Sequence, residues 1–410
     1  MKRIALLHYA SAPTIGGVES LMTHHARALD RLGYPVTVVS GDGASFDERI
    51  PVHINPLFSS QHPDVLALKR ELDAGTVPAA FEALVARVTD ALADALKACD
   101  VVVVHNAHTL NKHLALTVAL SRMTHPRQIA YVHDIAWTNP QYLPELHDGF
   151  PWNLLRQPMP QVPYITVSEA RCEELAGLLG IPRAQITLMT PGIDPARFLG
   201  WTPMLEDIEA CLHLLDADGL LLLPARLTRR KNIALALRVV AALRETTGKD
   251  MRLIVTGPPG AHNPTNRSYF SDLLDLRASL GITEGAHFLY ELEDPPRLAD
   301  DDTLAALFRT CDALLFPSTQ EGFGIPVLEA GLAGLPVFCS DILPFRETGG
   351  ADVTYFDPDR GDPRDIAAEI ADVLAHHPVS RLRVRVRQQY RWDTLVRDLL
   401  VPHLEAHEHI

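Results

Sequence analysis

The sequence predicts an α/β protein of two domains, each a parallel sheet with helices wound over both faces. Three observations carry this expectation. Short, continuously apolar runs such as Ile4 to Leu7, Val101 to Val104 and Leu220 to Leu223 alternate with helix-length segments, and strands without polar alternation belong to sheets covered on both faces. The alternation starts afresh after an acidic, irregular stretch around Asp207 to Asp218. The 410 residues, 47% hydrophobic and 21% charged, suffice for two or three domains of roughly 150 residues, each with its own core.

The first forty residues read as strand, loop, helix, strand. Ile4 to Leu7 is followed by Ser-Ala-Pro-Thr-Ile-Gly-Gly, then by an apolar stripe at Val18, Leu21, Met22, Leu29 and Leu32, then by Gly33 and the run Val36 to Val39. Recurrence at three and four residues marks a helix, and the glycine after it supplies a left-handed cap. Phe81, Leu84, Val85, Val88, Leu92 and Leu96 mark a further helix before the strand Val101 to Val104, and Ile129 to Val132 is a strand leading into His133. The second series holds the strand Leu220 to Leu223, a helix near Ile233 to Leu243, and strands at Leu253 to Val255, His287 to Tyr290, Ala313 to Phe316 and Val337 to Cys339. The domain boundary is expected near residues 198 to 218, with two Rossmann-like halves facing across a cleft. No short repeat or low-complexity tract suggests a solenoid.

Charge and cysteine usage narrow the function. With 37 Lys and Arg against 51 Asp and Glu, the net charge is −14, which repels nucleic acid and anionic lipid, so an anionic substrate must be held by a local cation cluster. Five scattered cysteines without a CxxC pair suggest free thiols in a reducing compartment. His8 breaks the first apolar run before it reaches signal-peptide length, and no run approaches the roughly 18 to 20 residues of a membrane span. A cytoplasmic, at most peripheral, protein is expected.

Two stretches carry chemistry. Glu321-Gly-Phe-Gly-Ile-Pro-Val-Leu-Glu329-Ala follows the strand Ala313 to Phe316. Its glycines let a ligand approach the backbone, Pro326 suits the first helical position, and free amides at a helix start seat an anion. Glu321 and Glu329 would be repelled by phosphate and are better suited to hydroxyl-rich groups; the plain alternative is that Glu329 complements the helix dipole. Pro224-Ala-Arg226-Leu-Thr-Arg229-Arg230-Lys231-Asn232 places four cations in six residues between a strand and a helix. At ~4 Å and an effective dielectric near 20 each charge pair is worth on the order of 4 kcal/mol before desolvation, which suits a diphosphate. Arg226 and Lys231 begin and end the turn, whereas Arg229 and Arg230 read as solvated.

These residues together resemble the retaining GT-B glycosyltransferases of family GT4, over nearly the whole chain. EGFGIPVLEA is similar to that family's E-x7-E element, PARLTRRKN to its diphosphate element, TPGIDPARF to its interdomain segment, and SDILPFRETGGADVTYFDP to its C-terminal domain ending. The resemblance implies an acceptor-binding domain over residues 1–200, a nucleotide-sugar-binding domain over 201–390, and a helix over 391–410 returning to the first domain. It implies that Arg226 and Lys231 hold the donor diphosphate and Glu329 the ribose. Glu321 takes the transferred sugar, helped by Gly17, Gly322, Phe323, Gly324, Ile325, Val327 and Leu328. His133, after a strand, is implied to reach the sugar near the reacting carbon as an assisting residue. Gly16 and Glu19 in the first glycine loop, with His105, Asn106 and His108 at a strand end, are candidates for the acceptor.

The implied reaction moves a hexose from a UDP- or GDP-sugar to a hydroxyl of a small molecule, glycan or glycolipid. Configuration is retained, and the leaving phosphate itself takes the acceptor proton. No cofactor and no obligatory metal are expected: Asp216-Ala-Asp218 and Asp357-Pro-Asp359 read as turns. Other functions compatible with this fold are a sugar-nucleotide epimerase, a glycogen-type synthase and a non-catalytic nucleotide-sugar sensor. The sequence departs from the family at Gly257-Pro-Pro-Gly-Ala-His-Asn-Pro264, where relatives have a shorter acidic turn. Arg381, Arg383, Arg385 and Arg387 alternate with other residues and are expected to form a solvated face.

Overall fold

A computed structural model describes residues 1–260, 265–293 and 296–406. The chain divides into two compact units, Met1–Ile193 with Tyr390–Ile410, and Asp194–Gln389.

The first unit carries strands β1 (Ile4–His8), β2 (Val36–Ser40), β3 (Val52–Ile54), β4 (Val101–His105), β5 (Arg127–Val132), β6 (Tyr164–Thr166) and β7 (Ile186–Leu188), in the order β3-β2-β1-β4-β5-β6-β7. Every pairing is parallel. The apolar runs are central: every residue of β1 and β4 is buried. Both sheet faces are covered, one by Phe81–Leu96 and Leu114–Arg122, the other by Gly17–Arg31 and the chain's last helical segments. Trp392, Leu395, Val396, Leu400 and Leu404 lie in the same core as Leu6, Met22 and Val103. Ile193 N donates to Tyr390 O at 2.7 Å, and a side chain at Gly192 would lie 2.7 Å from Trp392 Cδ2.

The second unit carries β8 (Gly219–Leu223), β9 (Met251–Val255), β10 (Ala286–Phe288), β11 (Ala313–Phe316), β12 (Val337–Ser340) and β13 (Thr354–Phe356), in the order β10-β9-β8-β11-β12-β13, again wholly parallel. Leu220 to Leu223 are fully buried, each worth on the order of 1.5–3 kcal/mol of burial. The sequence ends the β10 strand two residues late, because Leu289–Glu291 turns into a short 3-10 helix. The three-residue strands β3, β6, β7 and β13 escape the sequence reading.

In each unit the strand order reverses beside the first strand, between β1 and β4 and between β8 and β11. Crevices at the carboxyl ends of such strands are where open parallel sheets hold ligands.

The arginine-rich stretch is only in part the solvated face expected of it: Arg381 and Arg385 are exposed, whereas Arg387 is not. It forms the helix Pro378–Gln389, in which Arg383 and Arg387 lie one turn apart. Arg387 is buried and pairs with Asp312 at 2.9 Å, with side chains 6% and 1% exposed. No helix among the described residues is long and apolar enough to cross a membrane.

Candidate active site

The loops after β8 and β11 are stitched together. Past Leu223 the chain turns into Arg229–Lys231, and Asn232 takes a left-handed conformation (φ 49°) before the helix Ile233–Thr247, its Nδ2 donating to Pro358 O at 3.0 Å. Thr319 N donates to Arg230 O at 2.8 Å, and Arg230 Nη1 donates to Gln320 O at 3.1 Å. Lys231 and Glu321 form an ion pair with side chains only 12% and 10% exposed, and Arg230 Nη1 lies 3.3 Å from Glu321 Oε2. Lys231 Nζ also lies 4.8 Å from the centroid of the Phe316 ring. Burial pulls the Lys231 pKa below its usual value, against the opposing hold of Glu321.

Arg230 is therefore not a spare surface charge, whereas Arg229 is turned away onto Asp272 and Tyr269. Arg226 is exposed and has no hydrogen-bonding or ion-pair partner among the described residues. Its turn rests on the loop after β9: a Cβ on Gly257 would meet Ala225 O at 2.5 Å and Arg226 N at 2.7 Å, and Leu227 N donates to Pro258 O at 2.9 Å. The rest of that loop, Ala261 to Pro264, lies outside the described residues.

The two glycines after Glu321 differ in what demands them. Gly324 has φ +96°, and a Cβ there would strike the Phe345 ring at 2.7 Å, so the fold itself requires glycine. A Cβ on Gly322 would meet nothing within 4 Å. Folding therefore does not require glycine at 322, and the backbone there is open to close approach. The amides of Gly322, Phe323 and Gly324 donate to nothing among the described residues, and the helix Ile325–Leu332 starts without a side-chain cap. Phe323, Ile325 and Leu328 are exposed around this opening.

Val327 departs from its expected part in donor binding, because its side chain is in the core and its amide is spent on Gly324 O at 3.0 Å. Glu329 is partly buried, and its pKa is raised by that burial and then by the like charge of Asp301. Of the aspartates in the two Asp-x-Asp turns, Asp218 Oδ2 accepts from Asp250 N and Asp357 Oδ1 from Asp359 N, both at 2.8 Å.

In the first unit the loop after β1 leads into the helix Gly17–Arg31 with Gly16 as an uncapped N-cap of extended backbone. A Cβ on Gly17 would meet nothing, and one on Gly16 only the movable end of Glu19. As at Gly322, the fold does not impose these glycines. Beside them lies a group of aromatic rings. His105 is fully buried, its Nδ1 is 3.1 Å from His133 Nε2, and it stacks on Tyr131 and His133 with centroids 5.1 and 5.4 Å apart. His8 Nδ1 is 3.0 Å from His105 O, which can only accept, so His8 is protonated at Nδ1. Its bare Nε2 then lies 3.9 Å from Glu19 Oε1, so two acceptors face each other there. Burial lowers His133 and His25 to about 3 and His8 to about 4, and carries His105 well down. All four are neutral near pH 7.

The expected acceptor contacts at His105, Asn106 and His108 are corrected by their placement. Asn106, left-handed at φ 62°, uses Oδ1 to hold the amides of His133 (2.8 Å) and Asp134 (3.1 Å). His108 is 3% exposed with Nε2 3.1 Å from Gln128 Oε1. These side chains are enclosed within the unit. His8 and His25 belong to the cluster but were not singled out from sequence; His8 showed itself there only as the polar residue ending an apolar run.

Two family models match the chain, Glycosyltransferase Family 4 over residues 15–197 and Glycosyl transferases group 1 over residues 213–391. A D-inositol 3-phosphate glycosyltransferase of Salinispora tropica is 29% identical over 236 residues, covering 54% of this chain and 46% of that protein. An uncharacterized glycosyltransferase of Methanocaldococcus jannaschii is 26% identical over 242 residues, 57% of each. The chain thus spans about half the length of these curated relatives. Among solved structures, WaaG, a glycosyltransferase involved in lipopolysaccharide biosynthesis, aligns over 94% of both chains at 17% identity with a TM-score of 0.34. With a family model on each of its two Rossmann-like units, the chain belongs to the group 1, family 4 glycosyltransferases of the GT-B fold class.

Proposed function

We propose that this chain is a cytoplasmic glycosyltransferase that moves a hexosyl group from a nucleotide diphosphate sugar to a hydroxyl acceptor, retaining the anomeric configuration and needing no metal. One observation carries the reading: at the strand-order reversal of the second unit, a cation cluster and a run of undonated amides converge on loops joined backbone to backbone. Preorganised donors and cations of this kind stabilise a departing diphosphate without reorganising when it leaves. Arg226 and Lys231 would bind the diphosphate, the amides of Phe323 and Gly324 the phosphate and sugar, and Glu329 the ribose.

The Lys231–Glu321 pair has a natural part in this scheme. Unoccupied, the carboxylate neutralises the largely buried ammonium; with donor bound, the ammonium turns to phosphate and the carboxylate to sugar hydroxyls. In the first unit, Gly16, Gly17, Glu19 and the bare Nε2 of His8 would receive a hydroxylated acceptor, while His133 assists at the transferred sugar. The leaving phosphate would take the acceptor's proton on the same face, so no separate general base is called for. The relatives' names make a cyclitol phosphate the first acceptor to try.

The test is a panel of UDP-, GDP- and ADP-sugars with cyclitol phosphates, simple glycosides and no acceptor, scored for nucleoside diphosphate release with and without EDTA. Donor-dependent release unaffected by EDTA is the expected result. No release and no transfer with any donor would defeat the enzyme reading in favour of a sensor.

A further inference from the structure

We infer that buried His105 is a positioning residue that fixes the proton of His133 on Nδ1, so that His133 meets its substrate as a hydrogen-bond donor. The functional half of this rests on the reading above; the tautomer does not.

The argument begins with counting protons. His105 Nδ1 and His133 Nε2 are 3.1 Å apart. Both rings are neutral near pH 7 because burial disfavours their charged forms, so one nitrogen of the pair donates and the other accepts. If His133 were the donor, His105 would accept at Nδ1 and carry its own proton on Nε2. That Nε2 is enclosed and has no hydrogen-bond partner among the described residues, and a buried N–H without an acceptor is the rarer and costlier defect. If His105 donates from Nδ1, only a bare lone pair is left inside. The neighbouring His25, whose centroid is 6.0 Å away, also has two unpartnered nitrogens and must keep one N–H in this interior. A lone pair on His105 sits better beside that N–H than a second N–H would.

The consequence passes to the surface of the unit. With Nε2 accepting from His105, the proton of His133 is on Nδ1, which has no protein partner among the described residues. The ring is also held in place: Asn106 Oδ1 anchors its backbone amide, and Tyr131 stacks on it with centroids 4.9 Å apart. A ring so fixed offers an N–H to an oxygen lone pair of the bound sugar, and cannot accept a proton from a hydroxyl there. The pair belongs to a wider pattern in which second partners decide which ring nitrogen does the work.

Long-range proton–nitrogen spectra of protein labelled at histidine, with His133 assigned from signals lost in His133→Asn, should show both His133 and His105 protonated at Nδ1 at pH 7. Protonation of His133 at Nε2 overturns the inference outright, and this measurement on unaltered protein needs no variant to fold. His105→Phe keeps the stacking and removes the donor; His133 is then no longer fixed in one tautomer, both should be seen in its spectrum, and kcat should fall about tenfold, the worth of one hydrogen bond. His105→Asn, whose amide can donate from nearly the same place, should restore the single tautomer and the rate. Unchanged tautomer and kcat in a folded His105→Phe protein would also overturn it. Absence of transfer with any nucleotide sugar would instead strike the function and leave the tautomer reading standing.

Discussion

At the scale of single residues, the structure concentrates charge where it matters and leaves little of it idle. Lys231→Ala removes a cation from the proposed diphosphate seat and strands Glu321 with Arg230 alone. We expect turnover to fall on the order of a hundredfold or more, the usual worth of one preorganised charge, measured as kcat with the best donor. Asp312 and Arg387 show the same logic in a structural setting. Asp312→Ala leaves a guanidinium buried without its partner and should cost about 3–5 kcal/mol in denaturant unfolding, whereas replacing both by apolar residues should recover much of it. Neither pair was legible in the sequence, where Lys231 and Glu321 stand far apart and Arg387 looks like one of four surface arginines. What composition did reveal was that an acidic chain had gathered four cations in one turn. The helix period hid which of the alternating arginines faced inward.

At the scale of elements, the glycines separate folding from function. Gly324→Ala forces a side chain into a left-handed backbone, at a cost of roughly 1–2 kcal/mol, and into the Phe345 ring; its Tm should fall. Gly322→Ala meets nothing, so its Tm should hold while donor affinity drops about tenfold, the worth of one well-placed hydrogen bond; calorimetric titration with the donor nucleotide checks this. Long apolar strands, helix stripes and the strand-glycine-helix turn were readable because each is a local pattern. The strands β3, β6, β7 and β13 and the burial of His105 and His108 were not, since they depend on what packs over them. A polar residue at a strand end reads alike whether it faces a ligand or the interior.

At the scale of the whole molecule, the two units should respond differently to acid. His8, His25, His105, His108, His113 and His133 all belong to the first unit, and burial depresses every one of them, His25 and His133 to about 3 and His8, His108 and His113 to about 4. In the unfolded chain they titrate near 6.5, at roughly their unperturbed value, so below that pH the unfolded state binds more protons. The stability they contribute is complete above about pH 6.5 and drains away as pH falls toward 4 and 3. The second unit adds His287 to this effect. Hydrogen exchange at pH 7.5 and pH 5 should therefore show protection lost more steeply in β4 and β5 than in β8 and β11. Gly192→Val, which pushes on Trp392, should destabilise the first unit by about 1–3 kcal/mol as overpacking does, read by the same exchange. That tryptophan also bears on how the protein is made. Because Trp392 and Leu400 complete a core begun by Ile4 and Leu6, a chain leaving the ribosome can finish its inserted middle while its opening half still waits for its last helical turns. Residues of the first unit that precede the second in the chain are thus among the last to reach their final packing.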